Sequence, residues 1–220
     1  MRSLQDVGNR LNERGIFTGG PYADFEKVGR MQLYLMVREG LNPWSKIVDI
    51  GCGCLRGGYW LIHFLDRNGY HGIEPNVGMV QTGIEEIIEK DVLLDKKPQF
   101  DHNERFDTSV FGVKFDAFIA RSIWSHASKP QIQTMLDDFV RDGLESAFFL
   151  TSYLPAKWVW QDYKGSEYRG RSHKCNVTDI VRHKFSWINS ECGKRGLRIK
   201  RLPDEFTNEQ EWLKIVRQAK

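Results

Sequence analysis

An α/β fold with a doubly wound, mostly parallel sheet is predicted by three features of this 220-residue chain. The first is Lys46-Ile47-Val48-Asp49-Ile50, an apolar strand that runs into the turn Gly51-Cys52-Gly53. The second is the segment after that turn, with Trp60, Leu61, Phe64 and Leu65 at helical spacing. The third is His71-Gly72-Ile73-Glu74-Pro75, a short strand ending in an acid. Strand, glycine turn, helix and acid-tipped strand make a nucleoside-binding half-domain. Gly51 and Gly53 let the backbone approach a ligand where a Cβ would clash. Glu74 at the end of the second strand can accept two hydrogen bonds from ribose hydroxyls. An adenosine-like ligand is expected.

The wording of the turn narrows that ligand. A dinucleotide fingerprint needs glycine at the sixth position so that a pyrophosphate can rest on the helix N-terminus, and here that position is Arg56. Asp49 precedes the turn instead. An acid there repels a pyrophosphate and suits a ligand that carries a cationic ammonium group and no phosphate. S-adenosylmethionine fits that description.

Taken in order, Gly19-Gly20-Pro21 marks a loop, and Phe25, Val28, Met31, Leu33, Leu35, Met36 and Val37 then follow a helical period that ends at Gly40 and Pro43. A strand is predicted over 46–50, a helix over 57–65, a strand over 69–73 and a helix over 77–89. Residues 98–102 are short and polar, but the topology demands a strand there. Phe115-Asp116-Ala117-Phe118-Ile119-Ala120 is an apolar strand, followed by a helix over 129–142 with Pro130 in its first turn. A strand over 147–151 leads into an aromatic and basic insertion at 155–176, then a helix over 177–193 and two strands, 197–202 and 212–216.

Val48-Asp49-Ile50-Gly51-Cys52-Gly53, Gly72-Ile73-Glu74-Pro75-Asn76 and Phe115-Asp116-Ala117-Phe118-Ile119-Ala120-Arg121-Ser122 resemble the nucleotide-loop, ribose-acid and fourth-strand motifs of class I S-adenosylmethionine-dependent methyltransferases. The resemblance spans residue 44 to the end and has one departure: the family's third glycine is Leu55 here. It implies a Rossmann-like sheet of seven strands closed by a terminal antiparallel hairpin. It further implies an N-terminal helical lid over 1–43 and a methyltransferase domain over 44–220. Asp49, Gly51, Cys52, Gly53, Arg56, Glu74, Pro75 and Arg121 are then expected around the cofactor. The loop after the third strand would cover the adenine through Asn103 and Phe106, with Asp101 as a competitor and a plain surface loop as the alternative.

His126, just past the fourth strand, is the candidate base, because imidazole titrates near neutrality. The competing reading makes it a residue that caps or packs the next helix. Tyr22, Ser122 and Tyr153 could meet the acceptor, and Arg169, Arg171 and His173 could form an anion pocket in the insertion or a solvated loop.

Hydrophobic residues make up 40% and charged residues 28%, an ordinary balance for a globular protein. No apolar run approaches ~20 residues and no leader pattern opens the chain, so a cytoplasmic location and no membrane partner are expected. The four cysteines have no metal-ligand spacing, and no metal is expected. A net charge of +3 is too small to argue for nucleic acid by itself, and a small-molecule substrate with no nucleic-acid partner is expected. Within the resembled family, enzymes acting on nucleic-acid or protein nitrogens often carry Asn-Pro-Pro-Tyr or Asp-Pro-Pro-Tyr after the fourth strand, and this chain does not. Its Gly57-Gly58 and Gly72-Ile73-Glu74-Pro75-Asn76 wording resembles bacterial enzymes of polysaccharide or specialised metabolism. The expectation is O-methylation of an acidic, phosphorylated or sugar-like small molecule. The rivals are a nucleic-acid or protein methyltransferase and a non-catalytic cofactor-binding protein.

Overall fold

The computed structural model describes residues 3–17, 20, 22–171, 177–202 and 209–218, and divides into two compact units, Met1–His102 and Asn103–Lys220. In the first unit β1 (Ile47–Ile50), β2 (Tyr70–Ile73) and β3 (Gln99–Asp101) run parallel in the order β3-β2-β1. Every residue of β1 is buried, as a strand covered on both faces requires. The glycine turn leads into α3 (Gly58–Phe64), whose Leu61 and Ile62 enter the core.

The first unit corrects one predicted helix and adds two. The helix predicted over 77–89 ends at Glu86 as α4 (Val77–Glu86), and a helix not predicted from the sequence, α5 (Lys90–Lys96), follows it, closed by Lys97 at φ 50°. Ile87 and Ile88 continue the helical spacing in the sequence, yet they are buried from the break between the two helices. Ahead of α2 (Phe25–Arg38) lies α1 (Leu4–Glu13), which the glycine-rich N-terminus concealed. Gly8 within it is required by packing: a Cβ would stand 2.5 Å from Phe25 Cγ.

In the second unit β4 (Phe115–Ala120), β5 (Gly143–Tyr153), β6 (Leu197–Leu202) and β7 (Glu211–Arg217) follow the order β4-β5-β7-β6. β4 and β5 are parallel, and β7 is antiparallel to both β5 and β6. Seven strands, mostly parallel and ending in an antiparallel hairpin, are the Rossmann-like class expected from the sequence. β5 begins at Gly143, directly after α6 (Lys129–Asp142), rather than at 147. Phe118 meets Phe139 edge-on at 5.1 Å and Phe115 at 5.4 Å, an arrangement favoured by the ring quadrupoles.

The helix predicted over 177–193 is confined to α7 (Phe185–Lys194). Residues 177–184 instead lie beside the chain that leaves β5, bridging Pro155 to His183 and Asp162 to Arg182. Val181 and His183 are buried while Arg182 between them is less so, a period of two that the apolar Val177, Ile180 and Val181 had disguised as helical. Among the described residues no helix is long and apolar enough to cross a membrane.

Gly83 in α4 offers a test of this packing, since a Cβ there would lie 2.6 Å from the Cys54 carbonyl oxygen and 2.7 Å from Leu55 Cγ. Alanine gains about 1 kcal/mol of helix propensity, but a backbone carbonyl cannot withdraw, so Gly83→Ala should cost a net ~1–3 kcal/mol in urea unfolding. Gly78→Ala, whose Cβ would meet only Asn76 Oδ1 at 3.3 Å, should be neutral or stabilising. Equal stability of the two variants would contradict the close approach of α4 to the turn.

Candidate functional site

The turn after β1 is built from three residues in the left-handed region. Gly51 (φ 76°), Gly53 (φ 57°) and Leu55 (φ 63°) alternate with Cys52 and Cys54. Leu55 therefore takes the conformation of the glycine it replaces, at a cost of roughly 1–2 kcal/mol for an L-residue. Complete burial of its side chain against Gly58 and Gly83 offsets that cost. Gly51 and Cys52 both donate their backbone N–H groups to the Ile73 carbonyl, at 2.8 and 3.1 Å, which ties the turn to the end of β2.

Glu74, the next residue, completes the join. Its Oε2 accepts from Gly53 N at 3.2 Å and its Oε1 from Asn76 N at 3.0 Å. The side chain is buried, and burial raises its pKa while the two amides oppose that rise. Asn76 in turn caps α4 through Met79 N at 3.2 Å. His102 Nδ1 lies 2.8 Å from the Glu74 carbonyl, so that nitrogen carries the proton. Pro75 fixes the backbone between the acid and the cap.

Asp49 is buried on β1, with Oδ2 accepting from the Tyr70 hydroxyl at 2.7 Å. Burial pushes its pKa up to about 7, assisted by the charge of Glu74 and opposed by the Tyr70 bond. Cys52 and Cys54 are buried free thiols whose pKa values are also raised, Cys54 to about 12, which makes them inert packing residues. Gly72 is small because Cys52 Sγ would lie 2.8 Å from an added Cβ. Arg56 is buried as well, donating to the Gly20 carbonyl at 3.1 Å with its guanidinium 5.4 Å from the Phe25 ring. It thus braces the stretch between α1 and α2. Tyr22, half-buried in a short turn there, accepts from Gln5 Nε2 through its carbonyl at 2.9 Å.

In the second unit, Asn103 uses its amide to close its own loop: Oδ1 accepts from Arg105 N and Asp107 N, and Nδ2 donates to the Asp107 carbonyl at 3.1 Å. Phe106 is buried at φ 62° with its ring 5.9 Å from Tyr168. Past β4, the half-buried Arg121 is followed by Ser122 at φ 60°. Ser122 N donates to Ser152 Oγ at 2.8 Å, Ser152 Oγ donates to Gln210 Oε1 at 2.7 Å, and Gln210 Nε2 donates back to Ser122 Oγ at 2.5 Å. Gln210 carried no signal in the sequence.

His126 sits on this same shoulder. Its Nδ1 lies 2.9 Å from the Asp179 carbonyl, an acceptor only, so Nδ1 holds the hydrogen and Nε2 keeps the lone pair. Burial lowers its pKa, partly opposed by the bond to Asp179. The insertion is laced onto this histidine by its backbone: Arg169 N donates to the His126 carbonyl at 2.8 Å and Asp179 N to the Arg169 carbonyl at 3.0 Å. The Arg169 guanidinium donates to the Tyr163 hydroxyl at 3.2 Å. Arg171 is exposed, and His173 lies outside the described residues. Tyr153 is fully buried and gives its hydroxyl to Glu211 at 2.9 Å, which leaves it no role in greeting an acceptor as arranged here. The structure thus gathers Gly51, Gly53 and Glu74 in one unit and Ser122, His126 and the Arg169 backbone in the other.

No family model matches the chain, and no curated protein sequence matches it. Solved structures do. Magnesium protoporphyrin IX methyltransferase (ChlM) from Synechocystis PCC 6803 with bound SAM superposes with a TM-score of 0.64 at 16% identity, over 99% of this chain and 99% of that one. The DhpI–SAH complex gives 0.61 at 14% identity over 99% and 96%, and the glycopeptide N-methyltransferase MtfA with SAM gives 0.62 at 10% over 86% and 93%. The fold is that of the class I S-adenosylmethionine-dependent methyltransferases.

Asp49 gives the first unit a testable pH signature. A folded-state pKa of about 7 against 3.8 means the native state retains a proton that the unfolded chain releases between those values. Stability from this group therefore falls as pH rises from about 4 to about 7, by a few kcal/mol at most. Asp49→Asn, fixed neutral, should match wild type near pH 4 and exceed it in thermal midpoint by a margin that grows until about pH 7. A margin constant across pH 4–8 would show that Asp49 is ionised throughout.

Proposed function

We propose that this chain is an S-adenosylmethionine-dependent methyltransferase that methylates an oxygen of a small acidic, phosphorylated or sugar-like acceptor. The observation that carries the reading is the Glu74 carboxylate held by Gly53 N and Asn76 N. A carboxylate has about four lone-pair positions, and those two amides leave room for the paired hydroxyls of a ribose. Gly53 fits a ligand too, since a Cβ there would meet only Met79 Cε at 3.3 Å and its φ of 57° disfavours any side chain. The buried Asp49, close to its midpoint at neutral pH, would be drawn into its charged form by a nearby cation. S-adenosylmethionine supplies a methyl group already activated by a sulfonium.

The protein's task is then to align an acceptor oxygen and to receive its proton. His126 is suited to the second part. Its Nδ1 is engaged by the Asp179 carbonyl, which presents Nε2 as the basic atom, and its lowered pKa keeps the ring neutral to a pH below the usual imidazole range. Ser122, held at a strained φ of 60° by Ser152 and Gln210, is the residue we assign to orienting the acceptor.

Isothermal titration with S-adenosylmethionine tests the first part. Glu74→Ala should weaken binding by about 1–3 kcal/mol, the range for losing charge-assisted hydrogen bonds. Undiminished affinity would remove Glu74 from the ribose site. Once a turned-over acceptor is found, His126→Gln should lower kcat strongly and leave cofactor affinity in place. The acid limb of the wild-type kcat/KM profile, expected below pH 6.5 from the lowered pKa, should vanish in that variant. A variant that keeps both rate and limb would make His126 a structural residue.

A further inference from the structure

In the second unit a cavity of about 470 Å³ opens beside the exposed turn at 157–161, walled by Pro155, Lys157, Gln161, Arg182, Glu209 and Glu211. That size lies inside the ~300–1,000 Å³ range of small-molecule sites. Its charges balance, Lys157 and Arg182 against Glu209 and Glu211. Arg182 is already engaged, with Pro155 O at 3.3 Å and Glu209 Oε2 at 2.9 Å, and Glu211 accepts from Tyr153 at 2.9 Å. The Lys157 ammonium and the Gln161 side-chain N–H groups have no partner among the described residues. Gln161 is nevertheless fixed in place, because its oxygen accepts from Lys157 N at 2.9 Å and Trp158 N at 3.1 Å.

The same turn displays two indoles. Trp158 and Trp160 stack with centroids 5.4 Å apart and planes 2° from parallel, yet they are 58% and 79% exposed. Leaving two tryptophans and the intervening Val159 in water is unfavourable unless something covers them. Nor is the turn a loose loop. Buried Asp162, at its end, accepts from Lys129 at 2.8 Å, Lys164 at 2.7 Å and Lys184 N at 3.1 Å. Burial alone would raise that carboxyl, but Lys129 and Lys164 hold it at about 2, so the anchor is charged across the working range of pH.

A cavity with no surplus charge does not select phosphate or carboxylate, which call for excess cations. A wall of ammonium, guanidinium, carboxamide and carboxylate does not select a hydrocarbon either. It fits a ring whose edge carries hydroxyls that both donate and accept, and whose faces carry C–H groups able to lie on an indole. We propose that this cavity and the Trp158–Trp160 pair bind a pyranoside, and that this sugar ring belongs to the acceptor. Gln210 also lines the cavity while bonding Ser122 at 2.5 Å, which connects the sugar site to the end of β4. The word acceptor rests on the methyltransferase reading; the sugar binding does not.

The test titrates the full chain with methyl pyranosides of gluco, galacto, manno and rhamno configuration, read by tryptophan fluorescence and by saturation-transfer NMR. At least one should bind with a Kd below ~50 mM, and Trp160→Ala and Lys157→Ala should each weaken it by about tenfold with an unchanged circular-dichroism spectrum. Both side chains are exposed, so these variants should fold. Absence of binding by every pyranoside, binding indifferent to both substitutions, or a preference for inorganic phosphate would overturn the proposal. Calorimetry with S-adenosylmethionine on the same preparation separates the two readings. Cofactor binding without sugar binding sinks only the sugar site, and sugar binding without cofactor binding sinks only the methyltransferase.

Discussion

One buried carboxylate sets the geometry of the first unit. Glu74 accepts the amide of Gly53 from the turn after β1 and the amide of Asn76 from the turn after β2, so two loops that leave adjacent parallel strands are held at a fixed separation. A carboxylate buried without such donors would have to take up a proton, because desolvation disfavours its charge. With them it stays an acceptor. The smaller features follow from that spacing: Gly72 makes room for Cys52, Gly83 makes room for the Cys54 carbonyl, and Asn76 is free to cap α4 because its own amide is already satisfied.

The second unit solves a comparable problem with main-chain bonds. The insertion is fastened to the segment after β4 through Arg169 N to His126 O, and the run 177–184 that follows it is fastened to the same segment through Val181 N to Ser125 O at 2.7 Å and to the residue after β5 through His183 N to Leu154 O at 3.0 Å. Backbone bonds do not depend on side-chain identity. The insertion can therefore keep its place while Trp158, Trp160 and the residues around the cavity change, which separates the part that orients His126 from the part that meets solvent.

The strand-turn-strand core was readable because parallel buried strands and glycine turns leave strong local marks: 46–53, 70–74 and 115–120 were found at nearly their observed bounds. What escaped depended on distant partners. α1 was hidden by Gly8, a residue that is unfavourable in a helix and is present only because Phe25 presses against it. The run 177–184 reads as a helix until its two bridges, Pro155 to His183 and Asp162 to Arg182, are known. Within the candidate site, Glu74 and the glycines announced themselves by motif, and His126 by its place after a strand. Gln210 and Asp179 could not be read, since a glutamine side chain and a backbone carbonyl acquire meaning only from the serine and imidazole that folding brings to them.

Leu55 shows how a turn can dispense with its usual glycine. The backbone pays a steric penalty at φ 63°, and the side chain, wholly enclosed between Gly58 and Gly83, returns it as apolar burial. Tolerance at this position is consequently two-peaked. Glycine relieves the backbone and empties the niche, leucine fills the niche and strains the backbone, and alanine or serine suffers both losses. Drift from one solution to the other must cross a valley of less stable intermediates, so the leucine and its two facing glycines behave as one inherited unit.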